Sequence, residues 1–128
     1  MKATEQELNA VVTLRNHVSP WLTILQVVPD GWVFPDYLPG QFAVLGLLGL
    51  ASRCAIAEPE NPVAAADKLI KRAYSIASSP VYREFLEFYV ALVPGGVLTP
   101  RLFDLKIGDR IWLSPKACTE AKTPARVM

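Results

Sequence analysis

At the centre of the 128-residue chain lies the run Lys71-Arg72-Ala73-Tyr74-Ser75-Ile76-Ala77-Ser78-Ser79-Pro80. We predict that it belongs to a strand from Lys68 to Ala77, which the Ser-Ser-Pro turn then ends. Because side chains of an extended backbone alternate between two faces, Arg72 and Tyr74 point to the same side. An arginine that can bind a phosphate then lies beside an aromatic ring that can stack on a planar group, and the Ser75 hydroxyl follows. These groups suit a cofactor with a polyanionic middle and a flat redox-active ring, such as a flavin dinucleotide.

The same run also fits an ordinary strand, with Tyr74 half buried and Arg72 on a solvated face. Arginine and tyrosine are common on half-buried strands, so four residues alone do not separate the two interpretations. The flanking sequence has to distinguish them.

Five other stretches are rich in β-branched, aliphatic and aromatic residues and predict strands. They cover residues 8–15, 21–28, 41–45, 85–93 and 110–113. Turn residues such as Pro29-Asp30-Gly31 separate them, and the polar pair Asn16-His17 is expected to end the first strand. The connection 51–67 carries prolines and acids without a period, so we expect it to be exposed. Six strands without a βαβ rhythm predict an all-β fold, a six-stranded antiparallel Greek-key barrel whose closure protects the strand edges.

A short helix is predicted after the fifth strand. Thr99-Pro100 has the form of a helix start, with a hydroxyl at the N-cap and proline at the first helical position. Leucines at 98, 102 and 105 would form its inner face, and residues 106–109 would end it. The free amides at such a start attract anions, although a plain helix start without a ligand is the alternative.

The composition narrows the possible functions. Hydrophobic residues make up 52% of the chain and charged residues 20%, which indicates a folded globular domain. Lysine and arginine balance the acids to a net charge of +1, so neither a nucleic acid nor a membrane surface is an expected partner. The longest apolar run, residues 42–51, is too short to span a bilayer, and the N-terminus lacks a secretory signal, so a cytoplasmic location is expected.

Cysteine and histidine usage gives no indication of a metal site. Cys54 and Cys118 are too few and too isolated for a disulfide framework and are expected to be reduced thiols. The single histidine, His17, is expected in a loop and has no second histidine for a metal or an acid–base pair.

Three motifs occur in one order along the chain. They are Pro39-Gly40-Gln41-Phe42 at the third strand, Arg72-Ala73-Tyr74-Ser75, and Gly96-Val97-Leu98-Thr99-Pro100-Arg101-Leu102. Two further stretches also match the same pattern. Between the second and third motifs lies Leu86-Glu87-Phe88-Tyr89, and after the third lies Leu105-Lys106-Ile107-Gly108-Asp109. Over residues 8–116 the chain therefore resembles the FAD-binding domain of the ferredoxin–NADP reductase family, bacterial type. Arg-x-Tyr-Ser alone is a weak signature, and the order of the motifs makes the resemblance specific.

The resemblance implies a role for each motif residue. Arg72, with Ala73 beside it, would bind the FAD pyrophosphate. Tyr74 would stack against the isoalloxazine and Ser75 would hydrogen-bond near its N5, which makes these two the implied catalytic residues. The flavin and ribityl chain would be lined by Tyr89, Val90, Ala91 and Leu92. The pyrophosphate would also meet the amides and hydroxyl of Val97, Leu98 and Thr99.

The implied activity is that of a flavin oxidoreductase. NADPH would give a hydride to FAD, and the flavin would pass single electrons to ferredoxin or flavodoxin. Residues 1–116 correspond to the FAD-binding domain, whereas residues 117–128 depart from the family pattern and are expected to be a disordered tail. The C-terminal NADP-binding domain of the family is expected to be absent. The chain is therefore interpreted as a truncated form, or as the product of a shifted reading frame with an early stop, with slow or no hydride transfer.

The alternative function is a small non-enzymatic barrel that binds a partner without a flavin. Barrels of this kind bind oligonucleotides through a basic groove with exposed aromatic residues. The near-neutral charge and the placement of most aromatics in predicted strands favour the flavin domain instead.

Overall fold

Strands in the computed structural model, which describes residues 4–119, lie where β-branched and aliphatic residues concentrate. In chain order they are β1 (Ala10–Ser19), β2 (Leu22–Pro29), β3 (Phe42–Leu48), β4 (Leu69–Ser75), β5 (Leu86–Ala91) and β6 (Arg110–Leu113). A 3-10 turn, Glu5–Glu7, precedes β1, and a short helix, α1 (Thr99–Phe103), lies between β5 and β6. The six predicted strands and the helix after the fifth are therefore confirmed.

The strands form one antiparallel sheet in the order β4-β3-β6-β1-β2-β5. The outer strands of this order, β4 and β5, also meet, because the N–H of Ala77 donates to the C=O of Glu87 at 2.8 Å just beyond the end of β4. This contact brings the two edges of the sheet together and protects their backbone groups. Strand β6 returns to lie between β1 and β3, as in a Greek key. The predicted six-stranded antiparallel Greek-key barrel is confirmed.

Strand β5 shows how side-chain alternation divides a strand between core and surface. Phe88 and Val90 are 0% exposed, whereas Tyr89 between them is 57% exposed. Side chains from all six strands join the same hydrophobic core. The predicted inner face of the helix is confirmed as part of this core, since its three leucines are buried: Leu98, Leu102 and Leu105.

The turn before β3 forms as its sequence predicts. Gly40 has a φ of +84°, in the left-handed region that glycine enters without strain, and Pro39 precedes it. The N–H of Gln41 closes the turn by donating to the C=O of Leu38 at 3.2 Å. Strand β3 can therefore begin at Phe42, directly opposite Ser75 of β4.

The predicted end of β1 is wrong. The strand does not stop before Asn16 but continues to Ser19, because its backbone keeps pairing with β2. His17 accordingly lies in a strand rather than in a loop. Its Nδ1 lies 2.9 Å from Thr23 Oγ1, and its ring stacks on Phe103 with the centroids 5.2 Å apart.

Other boundaries also differ from the prediction, including the ends of β4 at Ser75 and of β5 at Ala91. Strand β3 extends through Leu48, because residues 46–48 still pair with β4. The helix ends at Phe103 rather than at 106–109, where a turn instead leads into β6. Its five residues make little more than one turn.

The residues of the connection 51–67 are all exposed or partly exposed, as predicted, and they form no helix or strand. The predicted tail, 117–128, falls partly on described residues, where Cys118 exchanges two backbone hydrogen bonds of 2.9 Å with Phe42. The remainder, residues 120–128, lies outside the described residues. Both cysteines, Cys54 and Cys118, are free.

Within residues 4–119, no cluster of three or more histidine, cysteine or acidic side chains is placed to hold a metal ion. No helix of that range is long and apolar enough to cross a membrane.

The core predicts a large cost for removing one buried leucine. Leu25→Ala should lower the free energy of unfolding by about 2–5 kcal/mol, because Leu25 is fully buried in β2 and the truncation leaves a cavity. Urea denaturation monitored by tryptophan fluorescence would measure the change. The exposed Val33→Ala is the control and should stay within about 0.5 kcal/mol of wild type. Equal unfolding midpoints for the two variants would contradict this description of the core.

Candidate functional site

A cavity of about 310 Å³ opens where the ends of β4 and β5 meet. Its walls come from three strands and one residue beyond β4: Phe42, Ala73, Tyr74, Ser75, Ala77, Tyr89 and Ala91. The barrel closure explains this grouping, because it brings together β4 and β5, which lie at opposite ends of the sheet order. Five residues predicted to contact a cofactor therefore line one cavity: Ala73, Tyr74, Ser75, Tyr89 and Ala91.

Tyr74 is only 3% exposed, and its hydroxyl is buried without a hydrogen-bond partner among the described residues. Burial raises the pKa of Tyr74 well above the usual value for a phenol, and the nearby Arg72 charge opposes this shift. The hydroxyl is therefore protonated at neutral pH and remains a hydrogen-bond donor. A buried polar group without a partner costs about 1–3 kcal/mol, so the unpaired hydroxyl of Tyr74 is unfavourable in the flavin-free chain.

The end of β5 presents alternate residues to the cavity. Tyr89 and Ala91 are exposed on the outer side of the strand. The side chains of Val90 and Leu92 are buried, so these two residues can offer only backbone groups. The N–H of Leu92 is already used, since it donates to the C=O of Trp21 at 2.8 Å.

Arg72 lies beside the cavity and does not line it. One of its guanidinium nitrogens, Nη1, donates to the C=O of Lys71 at 2.8 Å. Lys71 itself points to the other face of β4, where its ammonium lies 4.9 Å from the centre of the Trp112 ring. The charge of Arg72 reaches Tyr74 strongly enough to affect its pKa, so the two side chains are electrostatic neighbours.

The turn before α1 corrects one prediction. Thr99 is not the N-cap, because the helix begins at Thr99 and the preceding residue, Leu98, makes no side-chain cap. The Thr99 hydroxyl instead accepts from the N–H of Val93 at 2.9 Å and donates to its C=O at 3.2 Å. The amides of Val97 and Leu98 donate to no other described residue. The turn therefore offers backbone donors but no free hydroxyl.

Sequence reasoning assigned no role to Arg101, which lies in the third motif. Arg101 is 3% exposed and forms a two-pronged ion pair with Glu60, with nitrogen–oxygen distances of 2.8 and 2.9 Å. Its Nη1 also donates to the C=O of Val97 at 2.7 Å. The apolar neighbours Leu102 and Phe103 could have indicated that Arg101 is buried. A buried arginine requires a carboxylate partner, so an ion pair could have been expected here.

Known proteins support the family resemblance by sequence. Residues 58–117 match the family model described as the oxidoreductase FAD-binding domain. A flavodoxin/ferredoxin–NADP reductase of Rhodobacter capsulatus is 57% identical over 77 residues, which are 60% of this chain and 23% of that protein. A ferredoxin–NADP reductase of Pseudomonas aeruginosa is 55% identical over 47 residues, 37% of this chain and 18% of that protein. The chain thus spans less than a quarter of the length of these relatives.

The fold is similar to that of a ferredoxin NADP+ reductase from Neisseria gonorrhoeae, solved with bound FAD and NADP. The TM-score is 0.60 at 23% identity, and the match covers 86% of this chain and 37% of that chain. This likeness shows a shared fold. With the sequence matches, it confirms the resemblance predicted from the three motifs.

The ion pair of Glu60 predicts a pH-dependent stability. Hydrogen bonds from Arg101 lower the pKa of Glu60 to about 2, below its ordinary value of 4.5. Because the folded pKa is depressed, the pair stabilises the fold fully above about pH 4.5, and this contribution is lost as the pH falls through the folded pKa. Glu60→Gln should therefore lower the Tm most near neutral pH, and the difference from wild type should narrow in acid.

Thermal unfolding between about pH 7 and pH 3 would test this prediction. At neutral pH Glu60→Gln should lower the free energy of unfolding by on the order of 3–5 kcal/mol, because Arg101 is left buried without its carboxylate partner. Asp36→Asn is the control, because Asp36 pairs with Arg83 at the exposed surface and should affect the Tm little at any pH. A Tm difference for Glu60→Gln that does not depend on pH would contradict the assignment.

Proposed function

We propose that this chain, which matches the FAD-binding-domain portion of ferredoxin/flavodoxin–NADP reductases, binds FAD in the cavity between β4 and β5. The observation that carries the proposal is the convergence of two separate sequence stretches, 73–75 and 89–91, on one cavity. An ordinary strand would not need Tyr74 and Tyr89 at the same opening. The ordinary-strand interpretation of the central run is therefore the weaker one.

The residues of the cavity wall supply groups that suit a flavin ring. Ala73 and Ala91 have small side chains that leave room for a flat ring, and Tyr89 offers an exposed aromatic surface for stacking. Ser75 is exposed at the end of β4, where its hydroxyl can meet a ring edge. The unpartnered Tyr74 hydroxyl fits a ligand that supplies the missing hydrogen bond. Tyr74 and Ser75 are accordingly proposed as the residues in contact with the reactive ring.

The pyrophosphate of FAD is proposed to bind beside this cavity. Arg72 supplies a cation, and Val97 and Leu98 supply backbone donors without acceptors among residues 4–119. Thr99 can contribute only through its backbone, because its hydroxyl is bound to Val93. Val90 and Leu92 are likewise proposed to contribute only backbone groups to the wall, and the N–H of Leu92 is not among them because it is bound to Trp21.

Bound FAD supplies the capacity to accept a hydride and to release single electrons, which side chains lack. The residues of this chain hold the cofactor, orient its ring and exclude water from part of its surface. For the whole protein we propose electron exchange between NADPH and ferredoxin or flavodoxin, as the names of the relatives indicate for those proteins. The FAD-binding domain is proposed to be residues 1–116, and NADPH binding to require a second domain.

The proposal predicts that the purified chain binds FAD and that Tyr89 contributes by stacking. Tyr89→Ala should weaken FAD binding by about 0.5–1.5 kcal/mol, or roughly two- to tenfold. Tyr82→Ala is the matched control, because Tyr82 is as exposed as Tyr89 but borders a different cavity beside Phe85. Titrations with FAD, monitored by flavin fluorescence, measure the affinity of each variant. A chain that binds no FAD at micromolar flavin would refute the proposed function.

Tyr74 predicts two effects of opposite sign. Tyr74→Phe removes a buried hydroxyl that has no partner among the described residues, so the flavin-free chain should become more stable by about 1–3 kcal/mol. The same change should weaken FAD binding, because the ligand loses its hydrogen-bond donor. Urea unfolding without flavin and FAD titration measure the two effects. A variant that is destabilised without flavin, or that binds FAD as wild type does, would contradict this role for the hydroxyl.

A further inference from the structure

The turn 94–97 is held from one side by the connection 51–67. The N–H of Glu58 donates to the C=O of Pro94 at 2.9 Å, and Arg53 Nη2 donates to the C=O of Gly96 at 3.3 Å. The Arg53 side chain is also bound within its own segment, since its Nη1 donates to the C=O of Glu58 at 2.5 Å. A Cβ on Gly95 would lie 2.9 Å from the Glu58 carboxylate, so the turn packs closely against this segment.

Arg101 holds the next carbonyl of the turn. Its Nη1 bridges the C=O of Val97 and the Glu60 carboxylate, and its Nη2 bridges the same carboxylate and the C=O of Gly49 at 2.9 Å. The guanidinium thus has a partner on both prongs and is buried, so its position is fixed. Without the Glu60 carboxylate, the buried charge would be uncompensated.

The orientation of the turn amides follows from these carbonyl contacts. The peptides that join Gly96, Val97 and Leu98 are trans, and in a trans peptide the N–H points opposite to the preceding C=O. Because the carbonyls of Gly96 and Val97 face Arg53 and Arg101, the amides of Val97 and Leu98 face away from both cations. Neither amide has an acceptor among the described residues. Two adjacent backbone donors on one short turn are therefore left without an acceptor among the described residues.

We propose that Arg53, Arg101 and Glu60 are positioning residues that orient the amides of Val97 and Leu98 toward the pyrophosphate of FAD. This inference rests on the proposed function, since it concerns the same ligand. The connection 51–67 is then a support for the phosphate-binding turn rather than a simple linker. None of the three side chains needs to touch the cofactor, because they act through the carbonyls of Gly96 and Val97.

A comparison of FAD with riboflavin tests the inference, because riboflavin has the same ring but no pyrophosphate. Glu60→Gln should weaken FAD binding about tenfold, the factor that corresponds to about 1.4 kcal/mol, and should leave riboflavin binding unchanged. Arg53→Gln should also weaken FAD binding without changing riboflavin binding. It provides the same test if Glu60→Gln does not fold. Val27→Ala, a core truncation in β2, controls for general loss of stability and should leave the ratio of the two affinities unchanged.

A flavin-free measurement gives a second readout. Inorganic pyrophosphate added to 15N-labelled wild type should shift the amide resonances of Val97 and Leu98, and Arg53→Gln should reduce these shifts. Parallel loss of FAD and riboflavin affinity in the variants, or no loss of either, would overturn the positioning role. Wild type that binds neither flavin would instead refute the proposed function, so the two failures are distinguishable.

Discussion

The candidate site depends on the contact that closes the barrel between β4 and β5. One backbone hydrogen bond, from Ala77 to Glu87, marks the point where the two outer strands of the sheet meet. Without this closure, the end of β4 with Tyr74 and the end of β5 with Tyr89 would belong to two separate edges. The closure satisfies exposed backbone groups, and the same contact creates a cavity with two tyrosines.

A second constraint acts on the turn before α1. The Thr99 hydroxyl ties the turn to Val93 at the end of β5, and the carbonyls of the turn are bound from the other direction by Arg53 and Arg101. The buried ion pair of Arg101 with Glu60 is costly to desolvate, and both Nη atoms of Arg101 donate to the Glu60 carboxylate. Such a network fixes geometry more than it adds stability.

Much of this architecture was predictable from sequence, and its limits have physical causes. The positions of the strands along the chain followed from hydrophobic patterning and turn residues, as at Pro39-Gly40, because these signals are local. The continuation of β1 past His17 was not predictable, because pairing with β2 outweighed the polar side chains. The pairing of Arg101 with Glu60 across 41 residues was also missed, since no local pattern records it. The Thr99 hydroxyl shows the same limit. The local sequence pattern predicted a helix N-cap, whereas the hydroxyl bonds to the backbone of Val93.

The alternation of side chains in β5 assigns core packing and cavity lining to different residues. Inward positions such as Phe88 and Val90 maintain the core, whereas Tyr89 and Ala91 form the cavity wall. Tyr89 and Ala91 do not belong to the core, so substitutions there leave the core packing intact. Surface substitutions of this kind usually change stability by no more than about 0.5 kcal/mol. One strand can thus change the chemistry of its cavity face without changing the core that holds the barrel together.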